Sequence, residues 1–265
     1  MDLTVSKVAV GGSDIGYFSF GRGDVPFVML PGIFTKSILT LAELVAMAYQ
    51  QFAQDFRIYV FDRRTDIEPN YTIDGCAEDT AEAMYRLGLK NACVFGVSMG
   101  GMIAQSLAVK RPDLVGRLVL GSTASRISPD AARLLDSISE LAGRNDTAAL
   151  CEAFAKAVYT PSFYEKYQKA IMLSMQGSTD EDIRRFVLLT EAIKKFDIYG
   201  ELDKVKCPLL VIGAGEDGIL GVQASMDIAE KTGAELYIYE GYGHAAYDEA
   251  DDYKDRLFEF FTRQV

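Results

Sequence analysis

Apolar residues along the chain fall into two alternating patterns. Short apolar runs bounded by turn residues predict strands, and longer stretches with apolar positions three and four apart predict helices. Val5 to Val10 and Ile15 to Phe20 flank Gly11-Gly12-Ser13-Asp14 and predict a hairpin. Val25 to Leu30, Phe56 to Phe61, Ala92 to Phe95, Arg117 to Leu120, Pro208 to Gly213 and Glu235 to Tyr239 predict further strands. Asp74 to Leu87 and Met99 to Lys110 read as helices between them, and Asp248 to Phe261 as a terminal helix. Such alternation predicts an α/β fold with a mostly parallel central sheet flanked by helices. From about 123 to 205 the strand signals vanish. Ser128-Pro129 opens one helical segment, and Thr147 to Tyr159, Pro161 to Gln176 and Thr179 to Phe196 supply three more. The expected organisation is a core of residues 1–122 and 206–265 with a helical cap, 123–205, inserted into it.

Within that pattern, Gly96-Val97-Ser98-Met99-Gly100-Gly101 stands where a predicted strand passes directly into a predicted helix. A serine on so sharp a turn needs neighbours with almost no side chain two positions before and after it. Gly96 and Gly100 meet that demand, and the run reads as a nucleophile elbow bearing Ser98.

The chain holds one histidine, His244, in the loop after the predicted strand ending at Tyr239. Any imidazole base for Ser98 is therefore this residue. A carboxylate that orients it belongs at the tip of a neighbouring strand. Asp217, just beyond Pro208 to Gly213, is the choice, with the adjacent Glu216 as its competitor. The loop after Arg117 to Leu120, Gly121-Ser122-Thr123-Ala124-Ser125, contains no carboxylate.

The order Ser98, Asp217, His244, each beyond a predicted strand, resembles the α/β-hydrolase family over nearly the whole chain. The resemblance implies hydrolysis of an ester or lactone through an acyl-enzyme on Ser98. It also implies an oxyanion hole made by the backbone N–H of Met99 and that of Ile33 or Phe34, in the loop Pro31-Gly32-Ile33-Phe34 where the family often carries a His-Gly pair. Asp62-Arg63-Arg64 resembles the family's Asp-x-Arg turn and is expected to be structural. The same parts serve carbon–carbon bond hydrolases and cofactor-free perhydrolases, and the fold also serves as a non-catalytic ligand receptor, usually with a triad member lost. The implied partner is a small acyl substrate, with no organic cofactor and no metal.

Aromatic and sulfur side chains in the inserted segment are available to line a pocket. Phe34 from the core loop and Tyr159, Phe163 and Met172 are the expected substrate contacts, with Tyr164, Met175 and Phe186 also available.

Composition bounds the setting. The 265 residues are 49% hydrophobic, enough to bury a substantial core. A net charge of -11 argues against nucleic acid and anionic membranes as partners and only mildly against small anions. Asp248, Glu249, Asp251 and Asp252 concentrate part of it and are expected to be a solvated helix start. Cys76, Cys93, Cys151 and Cys207 show no metal or disulfide spacing, and Cys93 and Cys207 read as small core residues. With no leader-like amino terminus and no run of membrane-spanning length, the protein is expected in the cytoplasm.

Overall fold

The computed structural model describes residues 2–144 and 146–263. The first two strands, β1 (Thr4–Val10) and β2 (Ser13–Phe20), pair as the expected hairpin. Then come β3 (Val25–Leu30), α1 (Ala42–Ala48), β4 (Phe56–Phe61), α2 (Ile73–Arg86), β5 (Ala92–Val97), α3 (Met99–Lys110) and β6 (Val115–Gly121). Four helices follow without a strand between them: α4 (Pro129–Gly143), α5 (Thr147–Val158), α6 (Pro161–Met175) and α7 (Asp180–Lys194). The chain closes with β7 (Leu209–Ala214), α8 (Val222–Thr232), β8 (Glu235–Tyr239), α9 (Ala246–Glu249) and α10 (Tyr253–Thr262).

The eight strands form one sheet in the order β1-β2-β4-β3-β5-β6-β7-β8. β2 pairs antiparallel with both β1 and β4, and every pairing from β4 to β8 is parallel. β5 and β7 are buried along their whole length, which is why both read as unbroken apolar runs rather than alternating ones. Alternate residues nonetheless go to opposite faces. Val28 and Leu30 of β3 join a core with helices α2, α3 and α8, whereas Phe27 and Met29 join the core under α1 and α10.

Strand order reverses at β3, which lies between β4 and β5. Loops leaving the carboxyl ends of β3 and β5 therefore diverge there and open a crevice, the usual place for a ligand in an open α/β sheet. Those two loops carry Pro31 to Phe34 and Ser98.

One expected element is divided. The stretch read as a single helix from Asp248 to Phe261 is α9 and α10, separated at Ala250 to Asp252. Among the described residues no helix is long and apolar enough to cross a membrane.

Candidate active site

Ser98 occupies the turn between β5 and α3 with φ 54° and ψ −124°, a conformation that side-chain-bearing residues rarely adopt and that costs about 1–3 kcal/mol. Its backbone is held from both ends. The Ser98 N–H donates to the Gly121 carbonyl at 2.9 Å, and its own carbonyl accepts from the Gly101 N–H at 2.9 Å and the Thr123 hydroxyl at 2.7 Å. The flanking glycines are steric necessities: a Cβ on Gly100 would lie 1.8 Å from the Leu30 carbonyl oxygen, and one on Gly96 would lie 2.4 Å from that of Gly100. Neither gap admits a carbon atom, so the strand and helix approach this closely only with glycine there.

His244 lies in the loop between β8 and α9, and Asp217 in the loop after β7. Nδ1 of His244 is 2.9 Å from both carboxylate oxygens of Asp217. Their side chains are 5% and 2% exposed, so the pair is shielded from competing water. Oδ1 of Asp217 also accepts the N–H groups of Ile219 and Leu220, each at 2.9 Å. Burial alone would raise this carboxyl, but the His244 charge and hydrogen bond and these two N–H groups outweigh it and hold Asp217 below the usual carboxylate range. It remains an anion at neutral pH, able to accept Nδ1–H and leave Nε2 as the basic nitrogen. Glu216, the competitor, points outward and is exposed.

Ser98 and His244 line one cavity of about 80 Å³ together with Gly32, Ile33, Phe34 and, from the inserted helices, Phe154, Val158, Tyr159, Ile171, Ser174 and Met175. No hydrogen bond joins the Ser98 hydroxyl to His244 among the described residues. A Cβ on Gly32 would come within 3.2 Å of Ser98 Cβ, so the loop after β3 lies directly against the serine. Met99 is the first residue of α3, so its N–H has no partner within the helix and carries the positive end of the helix dipole.

A larger cavity of about 340 Å³ adjoins the first and shares Gly32, Ile33, Phe34, Tyr159, Ser174 and Tyr247 with it. Its walls are mainly apolar, from Met29, Val45, Phe95 and Val97, with charged residues at Asp62, Arg63, Arg185 and Asp248.

A family model for the alpha/beta hydrolase fold matches residues 25–251. This chain belongs to that family. The alpha/beta hydrolase is 27% identical to the protein of Rhizobium rhizogenes named "Putative carbamate hydrolase RutD", over 80% of this chain and 84% of that relative. It is 23% identical to 3-oxoadipate enol-lactonase 2 of Acinetobacter baylyi, over 86% of this chain and 83% of that one. Among solved structures it is similar to MGS-M2, an alpha/beta hydrolase enzyme from a Medee basin deep-sea metagenome library, with a TM-score of 0.88, 24% identity and 98% of each chain covered.

Two expected contacts of this alpha/beta hydrolase lie elsewhere. Phe34 and Tyr159 line both cavities, but Phe163 and Met172 line neither. The Phe163 ring stacks on Tyr159 at 5.1 Å, while Met172 packs against the cluster of Cys151, Ala155, Tyr164 and Met175 within the inserted helices. The reason is helical phase. α6 turns Ile171, Ser174 and Met175 toward the cavity, and Met172, about 100° on from Ile171, faces its neighbour α5. Phe186 meets Phe154 edge-on in the other small core of this segment.

The acidic cluster keeps the expected exposure at Asp248, Asp251 and Asp252, but it is shared between α9 and the start of α10 rather than opening one helix, and three of its members have specific partners. Glu249 accepts the Thr160 N–H at 3.0 Å and hydroxyl at 2.6 Å, and Asp252 accepts the Tyr239 hydroxyl at 2.9 Å. Asp248 retains exposed surface, but what it faces is the larger cavity, where Tyr159 donates to it at 3.1 Å. Burial among the surrounding rings, reinforced by Glu249 and opposed by Tyr159 and Lys254, pushes its carboxyl up to about 6. Above pH 6 the folded protein carries this charge at a cost the unfolded chain does not bear, and the cost disappears as pH falls to 4. Asp248→Asn is expected to stabilise the fold by about 1 kcal/mol at pH 7.5, the figure being reduced for the water that reaches the cavity, and not at pH 4. Urea unfolding at the two pH values measures the difference.

Residue-type reasoning passed over Arg185 and Tyr247, and read Asp248 only as part of a solvated helix start. A signal existed for the first: Arg185 interrupts the buried stripe of α7 formed by Phe186, Leu189, Ala192 and Ile193. The others follow His244 by three and four residues, one helical turn away.

Proposed function

We propose that this alpha/beta hydrolase is a serine hydrolase that cleaves a small to medium carboxylic ester or lactone through an acyl-enzyme on Ser98. The observation that carries the reading is the strained Ser98 turn sharing a cavity with His244, whose Nδ1 is bound at 2.9 Å by a buried carboxylate. His244 Nε2 removes the Ser98 proton as Oγ attacks the carbonyl carbon. The oxyanion that forms is met by the N–H of Met99 and that of Ile33 or Phe34, donors worth commonly about 3 kcal/mol each. His244 then protonates the leaving alcohol, the ester C–O bond breaks, and water deprotonated by the same imidazole releases the acid. Asp217 holds the imidazole and balances its charge.

The relatives named as an enol-lactonase and a carbamate hydrolase support acyl transfer as the reaction class. The narrow cavity around Ser98 and the wider one beside it support a compact acyl or alcohol portion rather than a polymer. The test is hydrolysis of a series of p-nitrophenyl esters from acetate to octanoate beside a panel of lactones. Turnover is expected among the short and medium acyl groups. Failure on every ester and every lactone would overturn the proposal.

A further inference from the structure

The larger cavity holds an imbalance of buried charge. Asp62, Arg63 and Arg185 are each more than nine-tenths buried, and all line that cavity. Two guanidiniums thus stand against one carboxylate. The nearest approach of Arg185 to Asp62 is 3.6 Å, longer than a well-made charged hydrogen bond.

Their donors are also underused. The Arg63 guanidinium donates to the Pro31 carbonyl, and the Arg185 guanidinium donates to the Arg63 carbonyl at 3.4 Å. Among the described residues, neither guanidinium makes another side-chain hydrogen bond, none of their nitrogens is among the sealed polar atoms without a partner, and both residues line the cavity. A buried cation without a full set of acceptors is costly, and a ligand that supplies them binds strongly for the same reason. The planar fork of arginine matches a carboxylate, which takes two parallel N–H donors at once.

This position is close to the reacting centre. Arg63 holds the carbonyl of Pro31, and the next residue, Gly32, lies against Ser98. Among the described residues the only other cation on the cavity wall, Lys36, donates to the Gln176 carbonyl at 2.9 Å. Asp248, the second acidic side chain of the wall, is bound instead to Tyr159.

We propose that Arg185 and Arg63 form an anion-binding subsite in the substrate cavity, and that the ester or lactone cleaved on Ser98 carries a carboxylate. The inference rests on the serine hydrolase reading for its substrate, but not for the binding of the anion itself. It also assigns this site a local charge opposite to that of the whole protein, whose net charge is -11.

The experiment compares two esters of one length: the p-nitrophenyl monoester of adipic acid, and the same ester with its free carboxylate methylated. The charged ester is expected to have a kcat/KM at least about tenfold higher, the effect of one or two charged hydrogen bonds. Arg185→Gln is expected to bring that ratio down to about one. Arg185→Lys, which keeps a charge opposite Asp62 but loses the fork, is expected to retain only part of the preference and serves if the glutamine variant fails to fold. Titration calorimetry with adipate supplies a second readout that needs no turnover: adipate should bind, and at least about tenfold more weakly to the variants. If neither ester is hydrolysed while adipate binds through Arg185, the hydrolase reading fails and the subsite stands. Equal kcat/KM for the two esters, or adipate affinity unchanged by both substitutions, overturns the subsite.

Discussion

Replacing Ser98 by alanine is expected to lower kcat on the best ester by about 10⁴-fold or more, leaving the fold intact. That loss corresponds to about 5.5 kcal/mol of barrier, more than any single positioning contact supplies. It is large because the hydroxyl oxygen is the atom that bonds to the acyl carbon. The fold survives because the turn is held through the backbone of Ser98, by Gly121, Gly101 and Thr123, and its hydroxyl makes no hydrogen bond among the described residues. Alanine does remain in the strained φ 54° conformation, so part of the strain persists in the variant. Steady-state kinetics beside a urea unfolding curve separates the chemical loss from a structural one.

Asp217→Asn is expected to lower kcat by about 10³ to 10⁴-fold, and the geometry says why. The N–H groups of Ile219 and Leu220 both donate to Oδ1, which keeps the carbonyl oxygen of an asparagine on that side. Its NH₂ group then takes the Oδ2 position, 2.9 Å from Nδ1 of His244, and donates where the carboxylate accepted. With a donor now competing against the carbonyl at Oδ1, also 2.9 Å from Nδ1, the imidazole shifts toward the tautomer protonated on Nε2, which cannot take the Ser98 proton, and the negative charge that balances imidazolium is gone. Glu216→Gln is expected to change kcat by less than about threefold, since Glu216 is exposed. Equal, mild effects of the two substitutions would remove Asp217 from the mechanism.

The strands of the sheet were legible because parallel strands buried on both faces leave unbroken apolar runs, as β5 and β7 do. Gly96 and Gly100 were legible for a steric reason now visible in the gaps at the Leu30 and Gly100 carbonyls. The pairing of His244 with Asp217 could be anticipated because the chain has a single histidine and the candidate carboxylates sit at a strand exit. What lay beyond the sequence was the direction of side chains on the inserted helices. Met172 and Met175 look alike in a list of residues, and only the packing of α6 on α5 decides that Met175 reaches the cavity. Asp248 was hidden for a related reason: carboxylates at a helix start have one sequence pattern whether they face water or a cavity. The break between α9 and α10 carries no proline or glycine. There Asp252 accepts from the Tyr239 hydroxyl, a tertiary contact that local propensity does not encode, as well as from Arg256 one turn on.

The central claim is that Ser98 is the nucleophile, and covalent labelling tests it most directly. The protein is treated with a fluorophosphonate, its intact mass is measured, and the modified peptide is sequenced. The account predicts a single phosphonyl adduct on Ser98, loss of esterase activity in proportion to labelling, and no adduct on the Ser98→Ala protein. Activity abolished by an adduct on another residue, or full esterase activity persisting with Ser98 modified, would contradict it.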